Sequence, residues 1–228
     1  MAFETILVPE HTAEFALPVA ARLAQSSHAT LRVANAHHVL AGLVVAARHG
    51  HEDVEGFWVD SETEYLMRHE DAPVLLVSPE EAGAVAPCCL RSILVALDLS
   101  ANAEAILEPV IGLTNLSDGH VTLVHVLDPT SGRFVQHRAE AQQWLDRVAD
   151  RLRFRGVSVS TRLLTDSSAV RGLLGEFEKR RYDVIALTTH GQGGMQQLFL
   201  GSVAESLVRR ARKPVLLVRP AFDAPHRP

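Results

Sequence analysis

The residues best suited to chemistry lie near the C-terminus, where Thr188-Thr189-His190-Gly191-Gln192-Gly193-Gly194 is followed, six residues later, by Gly201-Ser202-Val203. Glycines at 191, 193 and 194 let backbone N–H groups approach an anion closely. A helix opening at Gly201-Ser202 adds unpaired amide donors, the positive end of its dipole and the Ser202 hydroxyl. The stretch therefore reads as a phosphate cradle. The apolar run over residues 183–187 just before it suits a buried parallel strand, and helical spacing from Val203 onward suits the helix. Two plainer readings stand beside this one: glycines that shape a surface loop, and Ser202 as an ordinary N-cap. No Gly-Lys-Ser or Gly-Lys-Thr follows, and Gly191-Gln192-Gly193 lacks a third glycine two residues on, so neither a Walker loop nor the dinucleotide fingerprint is present.

The pattern resembles the nucleotide loop of the universal stress protein family. Its ATP-binding members carry Gly-x-x-Gly, nine residues, then Gly-Ser or Gly-Thr. Gly191, nine residues and Gly201-Ser202 match, while Thr188 stands where the first glycine would be. A threonine there would crowd the backbone approach that glycine permits. The resemblance implies an α/β fold of doubly wound parallel-sheet units, Rossmann-like with strand order 3-2-1-4-5. It also implies ATP, accompanied by Mg2+, as ligand. Asp98 matches the acidic residue that contacts the adenosine part, and Val126 the strand residue that meets adenine. Thr188, Gly191, Gly193, Gly194, Gly201, Ser202 and Val203 complete the expected nucleotide site. Read without the resemblance, Asp98 is a strand-end carboxylate or a cap for the helix after it, and Val126 is a buried strand valine. His190 reads as structural, because His49 holds the same place in a stretch unsuited to binding.

That parallel comes from an internal repeat. Adding 141 to a residue number carries His49-Gly50 onto His190-Gly191, Asp60-Ser61 onto Gly201-Ser202, and Pro73-Val74-Leu75-Leu76-Val77 onto Pro214-Val215-Leu216-Leu217-Val218. Ile6-Leu7-Val8 likewise recurs as Ile93-Leu94-Val95. The chain reads as a tandem duplication: a truncated, degenerate unit over 1–79, a linker over 80–90, a complete unit over 91–220 and a tail over 221–228. In the second unit, strands are expected at 92–97, 121–127, around 157–163, 183–187 and 215–218, with helices over 102–113, 136–153, 169–180 and 203–212. The first unit lacks its middle. Residues 29–36 read as strand two, and only 37–42 separate them from the apolar run 43–47. Six residues span at most about 20 Å, so 43–47 is either a fourth strand reached by a direct link or part of a crossover helix over 39–49. Glu52, Asp53 and Asp60 stand where the second unit has its glycines, which makes a phosphate site in the first unit unfavourable.

Charge divides the same way. Residues 1–90 hold four Arg against thirteen Asp and Glu, net -9, and the remainder is net +4, within a total of -5. Opposite signs favour docking of the two units and leave the better anion site in the second. The overall balance gives no electrostatic case for nucleic acid, and no apolar run is long enough for a bilayer. The opening strand pattern, with no signal-peptide layout, argues for a cytoplasmic protein. Adjacent Cys88 and Cys89 lack metal-ligand spacing and read as a reduced pair. His37-His38 and His49-x-His51 offer no i, i+4 histidine pair, so no metal site is expected. The basic run Arg209-Arg210-x-Arg212-Lys213 reads as capping of a helix C-terminus rather than an anion site. No nucleophile, base and orienting acid share a recognisable spacing.

Three functions follow as alternatives: an adenine-nucleotide-binding stress or regulatory module without robust catalysis; a member that binds no nucleotide and acts through protein contacts; and a nucleotide-hydrolysing or adenylating enzyme of a related superfamily. The third would need a metal-binding carboxylate and a base beside the phosphates, and neither is visible. The twin Pro-Val-Leu-Leu-Val segments are expected to pair antiparallel, Val74–Val77 against Val215–Val218, as an intrachain pseudo-dimer, with a homodimer as a further assembly to consider.

Overall fold

Short apolar runs at 43–47, 74–77, 184–188 and 215–218 are buried on both faces as strands. The computed structural model describes residues 3–35, 41–51, 54–69, 71–78, 90–179, 182–190 and 200–220. In chain order the strands are β1 Thr5–Pro9, β2 Thr30–Ala34, β3 Leu43–Ala47, β4 His49–His51, β5 Val54–Trp58, β6 Val74–Val77, β7 Ser92–Ala96, β8 His120–Leu127, β9 Ser158–Thr165, β10 Val184–Thr188 and β11 Val215–Val218. The helices are α1 Ala13–Ser27, α2 Ser61–His69, α3 Leu107–Asn115, α4 Phe134–Phe154, α5 Ala169–Lys179 and α6 Ser202–Arg210. Tight 3-10 turns at Glu10–Thr12 and Asn102–Ile106 lead into α1 and α3.

Nine strands form one sheet in the order β2-β1-β3-β6-β11-β10-β7-β8-β9. Every neighbouring pair is parallel except β6 with β11, which run antiparallel with Val215 opposite Leu76, Leu216 opposite Leu75 and Leu217 opposite Val74. Counted within residues 92–218, the strands on one side of that seam run 3-2-1-4-5 from the edge inward. Alternation along the strands sends side chains to opposite faces. Ile6, Val45, Leu75, Ile93 and Leu216 join one buried cluster with α1, α3 and α4, while Leu7, Val44, Leu76, Leu94 and Leu217 join another with α2, α5 and α6. Among the described residues no helix is long and apolar enough to cross a membrane.

Residues 43–47 form a strand, β3, parallel to both β1 and β6, so the crossover-helix alternative over 39–49 does not hold there. The direct link is feasible. Eight residues, 35–42, span up to about 27 Å, against roughly 19 Å needed to return one strand length and step across β1. The hairpin of β4 and β5 is absent from the sequence reading, which treated this stretch as the counterpart of the glycine loop; β5 lies against α6. Helix α6 stops at Arg210, two residues before the expected end, because Pro214 needs an extended approach and Ala211 already has ψ 132°. Arg209 and Arg210 of the basic run lie in the last turn of α6 as expected, beside the negative end of its dipole. Arg209 pairs with Glu205, and the terminal carbonyls of Val208 and Ala211 accept from Arg48, far away in sequence.

Candidate functional site

Strands β7 and β10 are parallel neighbours, so their carboxyl ends share one edge of the sheet. The order reverses there, since β8 continues on the far side of β7 and β11 on the far side of β10. A crevice at such a reversal is where ligands of open α/β sheets bind. Beyond β7, the buried Leu97 donates its N–H to the Val124 carbonyl, and Asp98 follows. Asp98 Oδ1 accepts from the Ser100 backbone N–H at 3.0 Å and from its hydroxyl at 2.5 Å, while Ser100 Oγ accepts from the Ala103 N–H. Asp98 thus braces a local turn through Ser100, and Ser100 rather than Asp98 accepts from the helical turn that follows. Between the two, Leu99 holds φ 67°, a left-handed conformation uncommon for leucine and characteristic of constrained functional loops. The 3-10 turn at Asn102–Ile106 then packs over β10 and β11, which ties this loop to the neighbouring strand ends.

The end of β8 forms the other wall. A cleft of about 420 Å³ opens there, lined by Asp98, Leu99, His125 and Val126 together with the loop and first turns that lead through Asp128 and His137 to Glu140. Val126 also packs on α5. A β-carbon at Gly172 would lie 3.1 Å from Val126 Cγ1, so glycine is what lets that helix approach the strand. His125 Nδ1 lies 2.8 Å from the Leu97 carbonyl. That oxygen can only accept, so Nδ1 carries the proton and Nε2 keeps a lone pair. Burial pushes the imidazole below its ordinary value, against the raising effects of the Leu97 hydrogen bond and of Asp98. A neutral, half-buried imidazole thus stands in a wall that also holds three carboxylates.

The side on which phosphates are expected is built on α6. Gly201 is its N-cap, with φ -65° and ψ 154°, and Ser202 is the first helical residue rather than the cap. The Gly201 N–H donates to the Thr189 carbonyl at 2.8 Å, and a β-carbon at 201 would sit 3.2 Å from that same oxygen, which ties the helix start to the end of β10. Gly201 supplies no cap side chain, and the first turn of α6 presents the backbone amides and positive dipole end that suit an anion. Ser202 is exposed there and Val203 half-buried. Thr188 is buried and its hydroxyl donates to the His190 carbonyl at 2.9 Å, so the side chain braces the strand exit. His190 is buried against Thr189, Nδ1 to Oγ1 at 3.2 Å. The structure thus brings Asp98, Val126, Thr188, Gly201, Ser202 and Val203 to one edge. Gly191, Gly193 and Gly194 lie outside the described residues, as do Cys88, Cys89, Glu52 and Asp53.

The equivalent place beside α2 is filled by the protein itself. Asp60 Oδ1 accepts from the N–H groups of Glu62 and Thr63, Oδ2 accepts from the Thr63 hydroxyl, and His11 bridges Asp60 and Glu62. The anion that caps α2 is a side chain, whereas among the described residues the corresponding turn of α6 has none. Among the described residues no group of three or more His, Cys, Asp or Glu is arranged to hold a metal.

Residues 90–219 match the model of the universal stress protein family. The chain belongs to that family. Universal stress protein MJ0531 of Methanocaldococcus jannaschii is 35% identical over 83 residues, which cover 36% of this chain and 48% of that protein, so the match spans about half the length of this curated relative. Among solved structures, a putative universal stress protein from Pseudomonas aeruginosa superposes with TM-score 0.66 at 14% identity, covering 96% of this chain and 94% of its own. A universal stress protein from Archaeoglobus fulgidus gives 0.62 at 18% identity, covering 94% and 78%. At such identities the likeness is one of fold. Sequence reasoning missed Leu99, His125 and the wall from Asp128 to Glu140. Of these only His125, next to Val126 at a strand end, carried a signal in its residue type.

Proposed function

We propose that this is a tandem universal stress protein whose second unit holds one adenine nucleotide, ATP with Mg2+, as a stress-response or regulatory module without robust catalysis. In this reading residues 1–79 are a truncated unit that has lost its site, 80–90 a linker, 91–220 the complete unit and 221–228 a tail. The β6–β11 seam then does within one chain what a two-fold contact does between two, and the setting assumed is the cytoplasm.

The observation that supports the reading most is the pairing, on one sheet edge, of the side-chain-free N-terminus of α6 with the cleft walled by Asp98, His125 and Val126. The cleft volume falls in the range of roughly 300–1,000 Å³ typical of small-molecule sites. Its carboxylates suit a hydroxyl-rich, uncharged part of a ligand and disfavour phosphates, which would instead lie toward Gly201 and Ser202. Asp98 and Val126 would hold the adenosine end, with Thr188 and His190 bracing the strand exit between. Magnesium would enter on the triphosphate and offset its charge. Native mass spectrometry of the purified protein tests this directly: one retained adenine nucleotide per chain is expected, and a bare polypeptide that takes up none on addition of ATP and Mg2+ would overturn it. In that event the module that acts through protein contacts, which the substitution of Thr188 for glycine favours, is the better account.

A further inference from the structure

Arg48 is the largest fully buried side chain among the described residues. It lies just past β3, its own N–H bonded to the Val77 carbonyl, and its guanidinium crosses the β6–β11 seam. Nη1 donates to the carbonyls of Val208 and Ala211, each at 2.8 Å, and Nη2 to that of Lys213 at 3.1 Å. The first two carbonyls belong to the C-terminal end of α6 and the third to the turn that follows it. The 141-residue repeat places Thr189 opposite Arg48, so a cation at this spot is particular to the first half. Guanidinium stays charged even when buried, and three carbonyl dipoles solvate it here.

We propose that Arg48 is an electrostatic determinant of anion affinity at the far end of α6, through which the first half contributes to the site of the second. This rests on the nucleotide reading above. A cation at the C-terminus of a helix offsets the negative end of its dipole and leaves the N-terminus more positive. Helix α6 is nine residues long, so its ends are about 13.5 Å apart. The path runs through the packed side chains of Ala204, Leu207 and Val208, where water does not screen it. At an effective dielectric of about 20, one charge at that distance changes an anion's dissociation constant roughly eightfold per unit of ligand charge, and solvent at the ligand brings this toward roughly threefold.

A merely structural role for Arg48 would weaken all ligands alike, whereas an electrostatic one grades with ligand charge. The test is equilibrium binding of adenosine, AMP and ATP at low salt to the full-length parent, to Arg48→Gln, which can still donate to the carbonyls, and to Arg48→Lys, which keeps the charge. Arg48→Gln should leave adenosine nearly unchanged, weaken AMP several-fold and ATP at least about tenfold, whereas Arg48→Lys should preserve the parent's ratio of ATP to adenosine affinity. Equal weakening of all three ligands, or none, in Arg48→Gln overturns the proposal while the nucleotide reading stands. A parent that binds none of the three overturns both. Should Arg48→Gln fail to fold, Arg48→Met, which also removes the charge, replaces it under the same criterion, and a collapsed ratio of ATP to adenosine affinity in Arg48→Lys refutes the proposal.

Discussion

Asp60→Ala should destabilise the protein without touching the nucleotide site. The carboxylate accepts two backbone N–H groups of α2 and the hydroxyl of Thr63, which is wholly buried. Loss of an N-cap acceptor costs about 1 kcal/mol, and a buried hydroxyl left without its acceptor about 1–3 kcal/mol. The partly exposed contact with His11 adds little, since such pairs contribute about 0–1 kcal/mol. The expected loss is therefore about 2–4 kcal/mol, or roughly 5–15 °C in the thermal midpoint of a chain this long. Asp60→Asn should recover about half of it, because an amide oxygen still caps the helix although the amide nitrogen cannot accept from Thr63. Burial pushes the Asp60 carboxyl up, but the Thr63 N–H, His11 and the Thr63 hydroxyl together outweigh it and hold the group below its ordinary value of 3.8. A depressed folded value means stabilisation that is present above that value and lost as the pH falls below it, so parent and variant should converge in acid. Thermal and urea unfolding followed by circular dichroism reads all of this. A midpoint within about 2 °C of the parent, or Asp60→Asn as damaging as Asp60→Ala, would refute the capping account.

Gly201→Asp should transplant that self-capping into the second half. Its β-carbon must push against the Thr189 carbonyl, and its carboxylate would claim the α6 amides, so nucleotide binding should fall at least about a hundredfold while stability changes by only about 1 kcal/mol; retained binding in calorimetry would count against the α6 site. His125, whose folded value burial lowers from about 6.5, should give a loss of stability as the pH drops through that value, since the unfolded chain takes up the proton first. His125→Gln should flatten that slope in urea titrations between neutral and mildly acidic pH, and an unchanged slope would show that the imidazole does not titrate as its surroundings require. Leu76→Lys places a charge at a wholly buried position next to the seam; aggregation or unfolding in light scattering is expected, and a soluble, cooperative variant would contradict the packing described.

Much of the fold was legible because its signals are local and repeated. Buried parallel strands are short apolar runs, and the 141-residue repeat marks the twin segments that form the seam. Leu43–Ala47 was ambiguous for a physical reason, since a five-residue apolar run fits a strand or a helix turn until its neighbours β1 and β6 are known. Arg48 could not be read at all. An arginine after an apolar strand looks like a surface residue, and its acceptors lie at least 160 residues away. Leu99 was invisible as well, because leucine has no preference for the left-handed conformation it adopts. Thr188 has a structural role that its residue type does not announce. The buried bond from its hydroxyl to the His190 carbonyl makes it a brace, so the side chain is turned toward the backbone it supports.

The central claim is a single anion-binding helix start at Gly201-Ser202, and the matched serines at the two helix starts measure it most directly. Ser202 and Ser61 occupy equivalent first positions of α6 and α2, but among the described residues a capping carboxylate is found at α2 and not at α6. Titration calorimetry with ATP and Mg2+ should give one site per chain in the parent. Loss of one hydrogen bond to a charged ligand costs about 1.5–3 kcal/mol, so Ser202→Ala should weaken binding roughly tenfold or more, with Ser61→Ala unchanged. Binding that is absent from the parent, or equally affected by both substitutions, would contradict the account.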